Sequence, residues 1–172
     1  KILNLSYNRK LLTLPDEIGE LASLEELSLY NNTSLAALPS SIGKLQNLKL
    51  LHLSSTRLSV LPKEIGNLAS LEELYLFGTK ITALPSSIGR LQNLRLLALH
   101  RARNLSNLPT EVGNLTNLNV LDVAHTTIEA CPESLSRLKH LHYVNWYKHS
   151  DNGNIEKNVK ALMFAQSNPS CF

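Results

Sequence analysis

Leucines recur along the chain in a fixed order, LxxLxLxxTxLxxLPxxIGxLxx, with variable and mostly polar residues between them. Full copies of this pattern begin at Leu24, Leu48, Leu71, Leu94 and Leu118. The step from one copy to the next is 23 or 24 residues, and the extra residue falls just before the middle leucine. Because an insertion confined to one place marks a surface turn, we interpret the chain as a stack of equivalent coils.

The first half of each copy predicts a short strand. Apolar and variable residues alternate there, as in Leu51-His52-Leu53, which is the period of a half-buried strand. A short polar side chain follows the strand in most copies, and we expect it to bond backbone groups of a neighbouring coil. These residues are Asn8, Asn32, Thr56, Thr79 and Thr126. Ala102 stands at the same position in one copy and cannot make this bond.

The second half of each copy predicts a short helical turn, for example from Pro62 to Leu68. Proline is preset for the first turn of a helix, and six of the seven prolines share one repeat position. They are Pro15, Pro39, Pro62, Pro85, Pro109 and Pro132. We expect Ile65 and Leu68 to point inward. Five of the seven glycines also share one position, where a missing side chain permits close approach of neighbouring backbones.

A period of roughly 20 to 29 residues with this leucine spacing is typical of leucine-rich repeats. The LPxxIGxL second half resembles the class found in Ras-associated scaffolds, polarity scaffolds, plant immune receptors and some bacterial effectors delivered into hosts. The resemblance implies an α/β solenoid: a right-handed curved stack with a parallel sheet on its concave side and short helical turns on its convex side. We assign residues 1–140 to six repeats, the first of them truncated, and residues 141–172 to a degenerate last repeat with a C-terminal helical cap.

The two ends of the chain differ. Trp146 takes the place of a strand leucine, and apolar residues at helical spacing predict a capping helix from Asn154 to Ala165. The front begins within a predicted strand at Lys1, without an initiator methionine or a polar cap, so we expect a piece of a longer protein. We expect a monomer, with association through the open front as the alternative.

Composition narrows the class of partner. A formal net charge of +3 over 172 residues is too small to indicate nucleic acid or a membrane surface. No apolar run approaches the roughly 20 residues that cross a bilayer, and no linker divides the chain, so we predict one soluble domain.

The cysteine pattern bears on the cellular compartment of the protein. Cys131 stands at a core leucine position and Cys171 lies in a predicted tail, without the paired-cysteine caps that extracellular repeats of this type usually carry. This favours a reducing compartment, and we expect a cytoplasmic location, or the host cytosol for a delivered effector. Sequons at Asn4, Asn104 and Asn114 favour secretion instead.

Function is expected on the concave face, where the variable side chains of all strands point together. The column at the strand starts alternates in charge, and we interpret it as a stabilising ladder. It consists of Lys1, Glu25, Lys49, Glu72, Arg95, Asn119 and His142. Aromatic residues beside an arginine are typical of binding hot spots, and the alternative is that aromatics merely suit strands. The predicted partner-binding residues are Tyr30, His52, Tyr75, Phe77, His100, Arg101, Asp122, His125 and Tyr147.

The sequence patterns expected of a catalytic site are not met. Only His100, Asp122 and His125, on adjacent predicted strands, could converge on a metal, and we interpret them as solvent-facing contact residues instead. The serines lie mostly in PSSIG turns, and the sequence holds no phosphate-binding loop and no CxxC pair. We therefore predict no enzyme activity, no cofactor and no metal site.

The resemblance implies a protein-interaction module that presents a preformed concave surface to a protein or a peptide. Two alternatives remain. The chain is the target-recognition arm of a bacterial effector ligase or an immune receptor whose catalytic or signalling domain lies outside it, or it is a purely structural spacer. Fold alone does not choose between them.

Overall fold

Seven strands form one parallel sheet in the order in which they occur along the chain. The computed structural model describes residues 1–146, so the predicted capping helix and Tyr147 lie outside the described residues. Each strand has three residues. The strands are β1 (Ile2–Asn4), β2 (Glu26–Ser28), β3 (Leu50–His52), β4 (Glu73–Tyr75), β5 (Leu96–Ala98), β6 (Val120–Asp122) and β7 (Tyr143–Asn145). The predicted parallel solenoid is thereby confirmed.

A single 3₁₀ turn of five residues stands on the convex side between each pair of strands. The turns span Asp16–Glu20, Ser40–Lys44, Lys63–Asn67, Ser86–Arg90, Thr110–Asn114 and Glu133–Arg137. The expectation that proline occupies the first helical turn needs a correction. Pro62 lies just before its turn with an extended backbone (φ −63°, ψ 146°), and its carbonyl accepts the first bond of the turn from Ile65 N, at 3.0 Å.

The core is a stack of aliphatic side chains enclosed by the coils. The central strand residues lie in register, with Leu51 paired to Leu27 on one side and Leu74 on the other. All three side chains are fully buried, as are Ile65 and Leu68 of the third turn. Since burial of such a side chain contributes about 1.5–3 kcal/mol, each coil depends on its neighbours for its stability.

The short polar residues after the strands mostly bond within their own coil. Only Asn32 reaches a neighbour, donating from Nδ2 to the Leu5 carbonyl at 3.1 Å. The others donate to the carbonyl three residues earlier: Asn8, Thr56, Thr79 and Thr126. The expectation of bonds between coils is therefore wrong for Asn8 and for the three threonines. A threonine hydroxyl sits one atom closer to the backbone than an asparagine amide, and Asn32 uses this extra reach whereas Asn8 bonds its local carbonyl.

The shared glycine position holds the turns of adjacent coils together, as predicted. A Cβ added to Gly43 would lie 2.6 Å from the Glu64 carbonyl oxygen and 2.8 Å from Glu64 Cβ, which is closer than such atoms approach. Gly78 is different, because its backbone has a left-handed φ of 65° and an added Cβ would meet only Ser55 Oγ, at 3.6 Å.

No helix among residues 1–146 combines the length and the apolar character that crossing a membrane requires.

Substituting alanine at these two glycines separates the two roles. We expect Gly43→Ala to lower the free energy of unfolding by roughly 2–3 kcal/mol, because the turns must move apart to admit the methyl group. Gly78→Ala should cost about 1 kcal/mol, from left-handed backbone strain alone. Urea denaturation of the two variants checks this, and equal losses would contradict the close-packing role of Gly43.

Candidate functional site

Side chains on the concave face alternate with buried leucines along each coil, and this alternation extends beyond the strand. In β4, Leu74 is fully buried while Tyr75 is half-buried on the concave face. After the strand ends, Leu76 is again fully buried and Phe77 points outward, half-buried. The surface is therefore wider than the three-residue strands.

Six rings from neighbouring coils touch one another on this surface, and we call them the ring array. Phe77 and His100 lie parallel, with centroids 4.7 Å apart and planes at 6°. Tyr30 stacks on His52 at 5.0 Å and 19°. The members are Tyr7, Tyr30, His52, Tyr75, Phe77 and His100. The remaining contacts between the rings are tilted or edge-on.

A small side chain between two rings lets the ring array continue from coil to coil. Ser54 stands between Tyr30 and Phe77 in the same column, but it is fully buried. The two rings therefore lean over it and meet with centroids 5.9 Å apart, although their coils are not adjacent. His52 joins them, with its centroid 5.9 Å from that of Phe77. The result is one continuous apolar surface rather than separate aromatic residues.

Tyr75 is held in place by a carboxylate on its own strand. Its hydroxyl donates to Glu73 Oε2 at 2.6 Å. Burial, followed by the hydrogen bond to Glu73, raises the pKa of Tyr75 to about 12. The phenol therefore stays protonated at neutral pH, and the ring has one fixed direction on the surface.

His52 lies in the middle of the array between Tyr30, Tyr75 and Phe77. Burial lowers the pKa of its imidazole below the ordinary value, because removal from water disfavours the charged form. Its Nε2 is buried with no hydrogen-bond partner among the described residues. A neutral ring is consistent with stacking on Tyr30.

Asp122 extends the array by one coil. Its Oδ2 lies 3.1 Å from His100 Nδ1, a close polar contact that becomes an ion pair when the imidazole is protonated. Within residues 1–146, no three side chains of the types that bind metals come together.

The outermost column has a left-handed backbone, a feature that the sequence analysis did not foresee. Its members are Tyr7, Asn31, Ser55, Gly78, Arg101 and His125, with φ between 56° and 65°. This conformation is unfavourable for residues with a Cβ, yet it recurs where each coil leaves the sheet. It places Arg101, which is exposed, and His125, which is half-buried, directly beyond the column that contains Tyr30, Phe77 and His100.

The charged column at the strand starts forms ion pairs across coils, as predicted. Glu25 Oε2 lies 2.7 Å from Lys49 Nζ, and Glu72 Oε2 lies 3.4 Å from Arg95 Nη1. The hydrogen bond from Lys49 lowers the pKa of Glu25. The four side chains are largely exposed, so the pairs stabilise the sheet only modestly.

The predicted residues come together in part. The five predicted rings share one surface with Asp122, while Arg101 and His125 lie in the adjoining column and Tyr147 falls outside the described residues. Two residues that shape this surface are absent from the predicted set. Tyr7 packs edge-on against Tyr30 at 5.3 Å, and Glu73 orients Tyr75. Its position in the sequence could have identified Tyr7: it lies on the coil before Tyr30, one column further out, and such diagonal neighbours in a sheet are within reach of aromatic side chains.

Comparison with protein families matches the model of a leucine-rich repeat region to residues 1–78, 42–107 and 86–162. Together these segments cover most of the chain. No curated protein matches the chain in sequence.

Solved structures share the fold. The ectodomain of the membrane receptor kinase GASSHO1/SCHENGEN3 of Arabidopsis thaliana, in complex with CASPARIAN STRIP INTEGRITY FACTOR 2, is 29% identical over 79% of this chain, with a TM-score of 0.70. The plant peptide hormone receptor RGFR1, in complex with RGF2, is 31% identical over 86%, with a TM-score of 0.55. The leucine-rich repeat domain of the type III effector XopL is 25% identical over 78%, with a TM-score of 0.62. The chain spans 17%, 26% and 57% of their respective lengths.

The buried position of His52 predicts a pH dependence of stability. Because its pKa is lowered in the folded state, the unfolded state binds more protons as the pH falls through the ordinary histidine value of about 6.5. The free energy of unfolding should therefore decrease on going from about pH 7.5 to about pH 5.5, and His52→Gln should show a smaller decrease. Denaturant titrations at both pH values measure this, and an equal or larger decrease in the variant would show that His52 is not the cause.

Proposed function

The chain belongs to the leucine-rich repeat family, and from this premise we propose that it is a protein-interaction module whose concave face binds a protein or a peptide. The ring array is the proposed contact surface, with Arg101, Asp122 and His125 at its margin. We propose no catalytic role for these residues.

The observation that carries the proposal is the continuity of the ring array over the five coils that contain β1 to β5. Strand propensity accounts for Tyr75, which lies in β4. It does not account for Tyr30, Phe77 or His100, which follow their strands and fill no core position. Tyr7 is 64% exposed although it contacts Tyr30. Aromatic residues gathered on an exposed surface are the usual centre of protein interfaces.

Preorganisation is the proposed mechanism of binding. The rings are held by one another, and Tyr75 also by Glu73, before any partner arrives. Little side-chain entropy is then lost on association, which leaves more of the contact energy as affinity. Tyrosine and histidine also keep polar atoms at their ring edges, so the surface can accept and donate hydrogen bonds as well as bury apolar area.

The two similar plant receptors, solved with their ligands bound, support a protein or peptide as the partner class. The similarity to the repeat domain of a type III effector favours a second candidate, in which this chain is the target-recognition arm of a larger protein. Both candidates place binding on the same surface. A purely structural spacer would need no such array.

The cytoplasmic location stays a proposal that rests on the cysteine pattern. Cys131 is packed against the core, and burial raises the pKa of its thiol to about 11, so it serves as a small apolar residue. Fractionation of cells that express the tagged protein tests the location.

Removing two rings tests the function directly. We expect the double variant Tyr75→Ala and Phe77→Ala to capture its partner from lysate at least tenfold less, since the loss of even one aromatic anchor of about 2 kcal/mol weakens binding roughly thirtyfold. Quantitative mass spectrometry of the captured proteins measures the change.

The matched control is Leu12→Ala with Val60→Ala, which removes exposed apolar side chains outside the ring array (65% and 63% exposed). The control should capture the same partner as the wild type, and all three proteins should unfold within a few degrees of one another. Identical captured proteins for the ring variant and the wild type would reject the concave face as the binding surface.

A further inference from the structure

Charge is unevenly distributed along the segment between each strand and the next proline. Over the first five coils, these segments contain no aspartate or glutamate. They contain the basic residues Arg9, Lys10, Arg57, Lys80, Arg101 and Arg103, all exposed. In the described residues the carboxylates lie at the strand starts, at Asp122, at Glu129 in the sixth such segment, and on the convex turns, where Asp16, Glu17, Glu20 and Glu64 line an open depression of about 500 Å³.

Three of these basic residues occupy equivalent positions on adjacent coils, and we call Arg57, Lys80 and Arg103 the basic strip. Hydrogen bonds between adjacent coils hold the segments that carry these residues side by side. Arg57 N donates to the Leu35 carbonyl at 3.0 Å and Lys80 N to the Leu58 carbonyl at 2.9 Å. The side-chain amide of Asn104, next to Arg103, lies 3.4 Å from the Lys80 carbonyl. The three residues therefore lie on adjacent coils, and adjacent coils are about 4.8 Å apart where they form the sheet.

The basic strip is not neutralised within the described part of the chain. Every ion pair between residues 1 and 146 involves Glu25, Glu72 or Asp122, and none of these carboxylates pairs with a strip residue. Like charges held near one another repel, and solvent and salt weaken this repulsion between exposed groups. A row of them without counter-charges therefore indicates a surface that an anionic partner completes.

The basic strip runs beside the ring array. Lys80 follows Phe77 by three residues and Arg103 follows His100 by three residues, so each pair lies within about 10 Å along the chain. The edges of aromatic rings carry partial positive charge. Both features attract oxygen atoms that carry negative charge.

We propose that the basic strip and the ring array together receive an extended acidic segment of a partner protein. The segment lies across the coils, with carboxylates on Arg57, Lys80 and Arg103 and its apolar side chains on the rings. In an extended peptide, alternate side chains are about 6.8 Å apart and point the same way, which long basic side chains on neighbouring coils can match. This inference rests on the proposed function.

A peptide fits this surface better than a nucleic acid. At the opposite margin of the concave face, Glu25 and Glu72 pair with Lys49 and Arg95. Glu26 and Glu73 form no ion pair within the described residues, and a broad polyanion that covered the whole face would meet these two carboxylates. A single extended chain, about 4.8 Å wide, can lie along the basic side alone.

Selection from a random dodecapeptide library displayed on phage tests the inference. The strip variant carries Arg57→Gln, Lys80→Gln and Arg103→Gln. The control variant carries Lys44→Gln, Lys63→Gln and Arg90→Gln, which removes the same three charges from exposed positions on the convex turns. Both variants are first checked by thermal unfolding. We expect wild type and control to enrich peptides rich in aspartate and glutamate, and the strip variant to lose this enrichment.

Affinities of the most enriched peptide, synthesised with a fluorophore, complete the test by anisotropy. We expect the strip variant to bind it at least about tenfold more weakly than the wild type, and the control within about twofold. Equal weakening in both variants, or selected peptides without acidic residues, would overturn the inference. Tighter binding of a fluorescent oligo-dT of equal length would also overturn it, by assigning the strip to nucleic acid.

The ring variant Tyr75→Ala with Phe77→Ala separates this inference from the proposed function. If that variant loses the selected peptide while the strip variant retains it, the acidic partner is wrong and the concave binding surface stands. If neither variant changes the affinity, both proposals fail.

Discussion

The constant register between successive coils is the constraint on which the rest of the structure depends. Leu27, Leu51 and Leu74 pair strand to strand without a shift, although the number of residues between strands varies. On the convex side, glycine lets each turn rest against the next, as Gly43 does against Glu64. With both sides fixed, residues about 23 positions apart in the chain become neighbours in space. The surface is thus a property of the stack, and no single coil contains it.

The same register gives the two faces different chemistry. Side chains on the concave face line up in columns, so aromatic residues on different coils can meet, and basic residues in the segments that follow the strands line up in the same way. The ring array and the basic strip are both products of this alignment. The left-handed residue after each strand, such as Gly78 or Arg101, sets the direction in which the chain leaves the sheet. For the residues other than Gly78 this conformation is unfavourable, and it is tolerated because the surrounding core and hydrogen bonds leave the backbone no alternative.

Much of this arrangement follows from the repeat alone. The period predicts the strands, the turns, the glycine contacts and the adjacency of Phe77 and His100, because each follows from position within a copy. Other features depend on how far a side chain reaches, and its position within the repeat does not determine this. Tyr30 meets Phe77 because Ser54 between them is small and buried, and Tyr7 joins from the next column. The threonines bond locally because of their length, and the left-handed positions carry five different residue types besides glycine, so no composition signal marks them.

The most direct test of this account is whether Tyr30 and Phe77 touch in solution. Their coils are separated by β3, yet their ring centroids lie only 5.9 Å apart. In a protein with selectively labelled tyrosine and phenylalanine rings, nuclear Overhauser spectra should show cross-peaks between the ring protons of Tyr30 and Phe77. If Tyr30 shows cross-peaks only to protons of its own coil, the coils are not in the register described and the continuous surface does not exist.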